Sequence, residues 1–399
     1  MNLADALVAA GHRVVVWSSA FSHQERRHRT RTTARVVISD RLEYRLIPSP
    51  GYSRNVGPGR LWDHALLAAN LKRELRHATP PDVCFIGYPP IETAAIMARW
   101  LRRRNVPSLL DVKDQWPTIF IDALPAKLRA IGRVALSPYF LLARSAMRDA
   151  SGLSAMADGF LQWALDFAGR ARGPADRVVP LTGRPRQLTE EAINEARQWW
   201  DARGVRDDGR PRFCFVGSQT RSFDFVPVAE AARQLAQGAN GAPCDFVICG
   251  TGEESASWQA AAVGLPHVQF PGWVSAAQLQ VLASRCTGFL APYIQADSFE
   301  RSIPNKVLDA FSLGLPLITP LRGEVTSLIQ AEDVGLRYGT DAGRSLADCL
   351  LHLIRDPAAR ARQGANARAL HERRFTFESV YGGLVRHLET MALTPRPQR

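Results

Sequence analysis

The residues best placed to do chemistry lie in Ser302-Ile-Pro-Asn-Lys-Val-Leu-Asp-Ala-Phe-Ser-Leu-Gly-Leu-Pro-Leu-Ile-Thr319, a polar loop followed by a helix start and an apolar strand. Pro304 suits a helix N-terminus and Gly314 a helix end. The first backbone N–H groups of a helix have no partner within it. Ser302, Ile303, Pro304 and Asn305 would therefore shape an anion-binding corner, with the Lys306 ammonium facing the same anion. Asp309, about one turn on, could accept hydrogen bonds from ribose hydroxyls. A nucleoside diphosphate carries both groups. The same letters also describe an ordinary β/α unit with a surface lysine.

Other segments narrow the choice. Phe213-Cys-Phe-Val-Gly-Ser218 reads as a strand and glycine turn, and Phe246-Val-Ile-Cys-Gly-Thr-Gly-Glu253 as a second. They are followed by Val268-Gln-Phe-Pro-Gly-Trp-Val274, Gly288-Phe-Leu-Ala-Pro-Tyr293 and, near the end, Arg374-Phe-Thr-Phe377. In this order the blocks resemble the retaining glycosyltransferases of the GT-B fold, specifically glycosyltransferase family 4, in the branch that carries S-I-P-x-K, an acid three residues later, and G-x-P. The closing motif departs from that pattern, with Phe377 where the family usually has Trp. The resemblance implies two Rossmann-like, doubly wound α/β domains facing a cleft, with donor binding in the C-terminal one.

Sugar transfer leaves negative charge on the β-phosphate while the anomeric carbon becomes oxocarbenium-like, so cations and aligned N–H donors are needed there. Lys306 is the first candidate and Arg221 the second, since the family places a basic pair near the Gly217 turn. Gly217-Ser-Gln-Thr-Arg-Ser-Phe-Asp224 does not reproduce the usual G-R…K-G, and a solvent-facing arginine remains the alternative. Gly250, Gly252 and Gly272 should turn where backbone approaches a nucleotide or another strand. Val274 would offer main-chain groups to the base. Many family members carry E-x7-E; here Asp309 holds the second place, Arg301 the first, and Glu300 is one residue out of register. On the acceptor side Leu110-Asp-Val-Lys-Asp-Gln-Trp-Pro117 resembles D-x-R-D-x-W-P. Asp114 would orient or deprotonate an acceptor hydroxyl and Lys113 would meet a phosphate, unless an Asp–Lys pair merely ties the loop. Gly87-Tyr-Pro-Pro90 would line the same edge. No D-x-D triplet occurs, and no metal or cofactor beyond the nucleotide-sugar substrate is expected.

The 399 residues suffice for two domains with separate cores. Apolar strands alternate with amphipathic helices from Arg13 to Met156 and again from Arg212 to Thr319, the pattern of parallel sheets covered on both faces. The expected division is 1–180, 181–375 and a returning helix within 376–399, with Gly173 to Arg186 as linker and helix Glu190 to Arg203 on either side of it. Residues 394–399 should fray. The six cysteines form no C-x-x-C and read as reduced core residues. No apolar run is long enough to span a membrane, and the N-terminus lacks a basic signal region. The net charge of +12 is uneven: residues 1–180 hold 26 Lys and Arg against 15 Asp and Glu, whereas residues 181–399 hold 24 against 23. The clusters Arg26–Arg31 and Arg102–Arg104 would draw a peripheral, cytoplasmic-face enzyme to an anionic membrane or a lipid diphosphate. Solvated surface arginine is the alternative. No aromatic interleaving supports nucleic acid.

Relative to the family, the chain starts at its first helix. The expectation is that an opening strand and glycine-rich loop are missing, that Met1 is an internal methionine, and that the N-terminal sheet carries a central gap. A complete compact variant is the alternative. The reading is a glycosyltransferase that moves a sugar from a nucleotide sugar, a UDP-sugar by preference, to a lipid-linked or polysaccharide acceptor in cell-surface glycan synthesis. Its rivals are a GT-B nucleotide-sugar 2-epimerase and a non-catalytic remnant that still binds nucleotide.

Overall fold

The structure, a computed structural model, describes residues 2–53, 57–122, 124–184, 187–237, 244–339 and 341–394. The chain divides into two compact units, one of residues 1–180 with 380–399 and the other of residues 181–379.

The first unit contains β1 (Val14–Ser19), β2 (Phe21–Ser22), β3 (Arg27–His28), β4 (Ala34–Ser39), β5 (Leu42–Ile47), β6 (Cys84–Tyr88), β7 (Ser108–Val112), β8 (Gly152–Ala155) and β9 (Arg177–Val178). Strands β6-β7-β8-β9 form one parallel sheet. Both faces of β7 and β8 are buried, which is why these strands read as unbroken apolar or small-residue runs. Helices Ile91–Arg102, Ser137–Asp149 and Asp158–Ala168 cover the sheet. Their alanines at 94, 98, 146 and 164 let backbone approach closely, while Leu101, Met147 and Leu161 fill the core.

The expectation of one parallel sheet needs correction. β1, β5 and β4 form a separate three-stranded sheet in which β5 runs parallel to β1 but β4 is antiparallel to β5. Two residues, Asp40 and Arg41, join β4 to β5. That is enough for a hairpin and far too few for a crossover. Among the described residues no ladder joins this sheet to the other, and β1 and β6 are each paired on one side.

The expected linker is also partly ordered into the first unit. β9 lies within it, and the buried Asp176 accepts the Leu153 and Gly173 backbone N–H groups, each at 2.7 Å, and pairs with Arg170 at 2.9 Å. Pro185 and Arg186 lie outside the described residues. The last helix, Phe377–Leu393, sends Val380, Leu384, Leu388 and Met391 onto Leu109 and Val179, an i, i+4, i+8, i+11 stripe. His12 and Glu389 join at 2.8 Å. Residues 395–399 lie outside the described residues.

The second unit holds β10 (Arg212–Val216), β11 (Asp245–Cys249), β12 (Val268–Gly272), β13 (Gly288–Leu290), β14 (Leu317–Thr319) and β15 (Gly335–Arg337) in one parallel sheet ordered β12-β11-β10-β13-β14-β15. The order reverses between β10 and β13, the place where doubly wound sheets bind ligands. Helix Glu190–Asp201 belongs to this unit. Thr189 caps it through the Ala192 N–H, and its buried Trp200 donates to the Gln278 carbonyl at 2.8 Å. β15 was not anticipated, because three residues following a left-handed Asp333 give no periodic signal. All six cysteines are free thiols. Among the described residues no helix is long and apolar enough to cross a membrane.

Candidate functional sites

In the second unit the site assembles at the carboxyl ends of β10 and β13. Helix Asn305–Leu313 begins after Pro304 and ends at Gly314 in the left-handed conformation. Ile303 and Ser302 are buried, and the Ser302 hydroxyl donates to the Phe299 carbonyl, so these two residues hold the loop rather than face solvent. Asn305 is exposed at the helix start. Lys306, with a side chain only 18% exposed, pairs with the half-exposed Asp309. Its stem lies against Gly217: a Cβ there would come 2.6 Å from Lys306 Cε and 3.1 Å from Nζ. A φ of 151° at Gly217 disfavours any side chain as well. The backbone N–H of Lys306 lies against the Tyr293 hydroxyl, whose pKa is nevertheless raised because burial outweighs that contact.

The glycine turns beside this cation pack on one another. A Cβ on Gly250 would stand 2.0 Å from the Gly217 carbonyl oxygen, and one on Gly252 would stand 2.2 Å from that of Gln219. Gln219 ties the turns together, donating its backbone N–H to Thr251 O at 3.2 Å and its side-chain amide to Gly250 O at 2.9 Å. Gly250 and Gly252 are thus required by neighbouring backbone. Gly272, with φ of 80° and open space around it, precedes the exposed Trp273 and the half-buried Val274. Arg221 is 83% exposed and turns to Glu254 at 3.2 Å.

In the first unit Asp114 follows β7 at the sheet's carboxyl edge. Its carboxyl reaches solvent, yet desolvation by surrounding protein raises its pKa, with Arg60 opposing. Lys113 pairs with the buried Asp111 at 3.1 Å, and Ser154 donates to the same carboxylate at 2.8 Å. Behind the Asp114 loop, the Tyr88 hydroxyl donates to the Trp116 carbonyl at 2.6 Å, and the Arg60 guanidinium lies 4.7 Å from the Trp116 ring centre. Glu92 accepts from the Tyr139 hydroxyl at 2.8 Å, and its other oxygen faces His64 Nδ1 at 3.7 Å, beyond hydrogen-bond range. Burial, reinforced by Arg60, lowers the His64 pKa to about 4, and burial raises that of Glu92. The pair is therefore a neutral imidazole beside a carboxyl that resists ionisation.

Two family models match in tandem: "Glycosyl transferase 4-like domain" over residues 1–183 and "Glycosyl transferases group 1" over residues 210–356. The chain is a GT-B glycosyltransferase. Solved structures agree on the fold. Sucrose-phosphate synthase from Thermosynechococcus elongatus has a TM-score of 0.65 at 16% identity, covering 97% of this chain and 92% of that one. WaaG, a glycosyltransferase involved in lipopolysaccharide biosynthesis, has 0.62 at 14% identity, covering 97% and 94%. Anabaena Alr3699/HepE in complex with UDP-glucose has 0.59 at 17% identity, covering 87% and 86%. Among curated protein sequences none matches the chain.

Within the glycosyltransferase, Lys306 lies against Gly217 and pairs with Asp309, and residues 302–305 lead into the same helix. Arg221 is exposed and pairs with Glu254, with no hydrogen bond or ion pair to these residues among the described ones. Arg301 pairs with Asp297 one turn earlier. The Asp–Lys tie foreseen at the acceptor loop exists, but it uses Asp111 rather than Asp114. The sequence reading missed Tyr293, Arg60, His64, Glu92 and Tyr139. The last four come from three different helices, Pro58–Glu74, Ile91–Arg102 and Ser137–Asp149. One signal was available, since Glu92 lies two residues after the Gly87–Pro90 strand end already singled out.

Proposed function

We propose that the chain is a retaining glycosyltransferase whose second unit binds a nucleotide diphosphate sugar, with UDP as the nucleotide, and whose first unit binds a lipid-linked or polysaccharide acceptor at the cytoplasmic face of a membrane. The observation that carries this is Lys306, a half-sheltered cation laid against the Gly217 turn at the point where the strand order reverses, with the Asp309 carboxylate beside it. Lys306 would neutralise the leaving diphosphate, Asn305 and the helix start would add N–H donors, and Asp309 would bind ribose or keep Lys306 in place. The bond from the anomeric carbon to the β-phosphate oxygen breaks with its electron pair passing to the nucleotide. The acceptor oxygen bonds the same carbon, and Asp114, whose raised pKa makes it a better base, takes the hydroxyl proton. Support for UDP comes from the UDP-glucose complex of Alr3699/HepE, and for a lipid-linked acceptor from the role of WaaG in lipopolysaccharide synthesis and the basic first unit. The sugar would be a hexose or an N-acetylhexosamine.

The test is calorimetric titration with UDP and a panel of UDP-sugars, followed by nucleotide release with and without glycan-lipid acceptors. Acceptor-dependent release with an α-anomer made from an α-donor supports the reading. Release without acceptor points to a 2-epimerase, and binding without turnover to a non-catalytic remnant.

A further inference from the structure

The stretch from Ile119 to Leu141 is apolar where a folded protein ordinarily is not. Helix Arg129–Ala135 has no buried residue, and neither has the short turn Ala126–Leu128 before it. Ile131 is 67% exposed and Val134 75%, with Leu128, Leu141 and Ile119 also exposed. Single exposed aliphatics are common, but five within 23 residues, three of them on the 126–135 segment that buries nothing, are not. The helix touches the protein through its glycine. A Cβ on Gly132 would come 2.5 Å from Leu124 and 3.3 Å from Ile121; at 100° per residue Ala130 and Val134 fall on the opposite side and Ile131 on the flank.

Charge says what covers that side. Residues 123–148 contain Lys127, Arg129, Arg133, Arg144 and Arg148 and no Asp or Glu. Arg129 bonds to the Leu124 and Asp122 carbonyls, and Arg144 and Arg148 to carbonyls of Phe167 and Ala168. Lys127 and Arg133 are exposed and make no hydrogen bond or ion pair among the described residues. A second copy of the chain would set these cations largely against their own kind, the exposed Asp122 being the one carboxylate within residues 119–141. An anionic bilayer offers phosphates for the cations and an apolar boundary for the aliphatics. The arginine clusters marked from the sequence are partly engaged. Arg27 pairs with Glu25, Arg26 bonds to the Ser53 carbonyl, and Arg102 pairs with Asp149.

We propose that residues 124–141 form a membrane-docking face, in which Ile131 and Val134 enter the headgroup–acyl boundary of an anionic bilayer while Lys127 and Arg133 meet lipid phosphates. The purpose of such a face rests on the reading of a lipid-linked acceptor; the binding itself does not.

The test is flotation of the full chain with acceptor-free vesicles of phosphatidylcholine alone and with about one third phosphatidylglycerol. The chain should float with the anionic vesicles and be released by salt. Ile131→Asp with Val134→Asp should weaken partitioning by roughly fiftyfold or more, since a buried aliphatic is exchanged for a charge. Lys127→Ala with Arg133→Ala should weaken it by about fivefold per cation. Melting temperatures should not move, as none of the four is buried. No flotation by the wild type, variants that float as well as it does, or a dimer in light scattering that the aspartates dissociate would each overturn the inference. Nucleotide release measured without vesicles separates the two proposals. Flotation without turnover defeats only the proposed function, and turnover without flotation defeats only the docking face.

Discussion

Replacing Lys306 by Met would test the donor site most directly, because Met keeps the stem that fills the space against Gly217 and removes only the charge. Lys306 is 18% exposed and its partner Asp309 41%, so the ion pair is partly screened and its loss should cost no more than about 1 kcal/mol of stability. For units of this size that lowers the melting temperature by at most about 2–4 °C. Transition-state charge is another matter. Removing one well-placed group from a developing oxyanion costs roughly 3–4 kcal/mol, a hundredfold to thousandfold in turnover. Arg should not rescue. A Cβ at Gly217 would already be 2.6 Å from Lys306 Cε, and the flat guanidinium needs more room than the ammonium. The assay is nucleotide release at saturating and limiting donor, with thermal melts of each variant. If Lys306→Met keeps kcat/KM within about threefold of the wild type, Lys306 does not stabilise the leaving diphosphate and the assignment of this corner fails.

Three further outcomes follow from distances and burial. Gly250→Ala should be poorly folded or lose more than about 3 kcal/mol in urea melts, since its Cβ would overlap the Gly217 carbonyl, whereas Gly272→Ala, with open space around it, should lose about 1–2 kcal/mol from backbone strain alone. Asp114→Asn should lower acceptor-dependent turnover by roughly a hundredfold or more while UDP affinity in calorimetry stays unchanged; a matched fall in UDP affinity would contradict an acceptor-side role. His64 is held neutral in the fold, with its pKa lowered from 6.5 to about 4, so its contribution is present above pH 6.5 and is lost as pH falls through that window. Glu92, raised by burial, works in the opposite sense and offsets part of this. His64→Gln should therefore flatten the loss of stability between pH 6.5 and 4 in urea titrations, and an unchanged slope would refute the burial argument.

Much of this molecule was legible in the letters because local rules governed it. Strands β10 and β11 fall on the apolar runs read before Gly217 and Gly250, and Pro304 and Gly314 bound their helix as capping preferences require. Elsewhere local rules were silent. β15 is too short to show a period, and the antiparallel β4 follows from a two-residue turn that the βα rhythm obscured. Gly250 and Gly252 were recognisable as turns. That the carbonyls of Gly217 and Gln219 occupy the space a side chain would need could be seen only once the two loops were packed.

By itself, then, the sequence determined the α/β class, the order of the blocks and the corner built from residues 302–309, since those depend on periodicity, capping and charges a few residues apart. Tertiary structure alone decided that Lys306 lies on Gly217, 89 residues earlier in the chain, that Lys113 answers Asp111 rather than Asp114, and that His64, Glu92 and Tyr139 converge behind the Asp114 loop. It likewise decided that Ile131 and Val134 remain outside. Contact between distant segments and the burial it produces set whether a charge is paired, a carboxyl protonated or an aliphatic wet, and no short window of sequence contains that information.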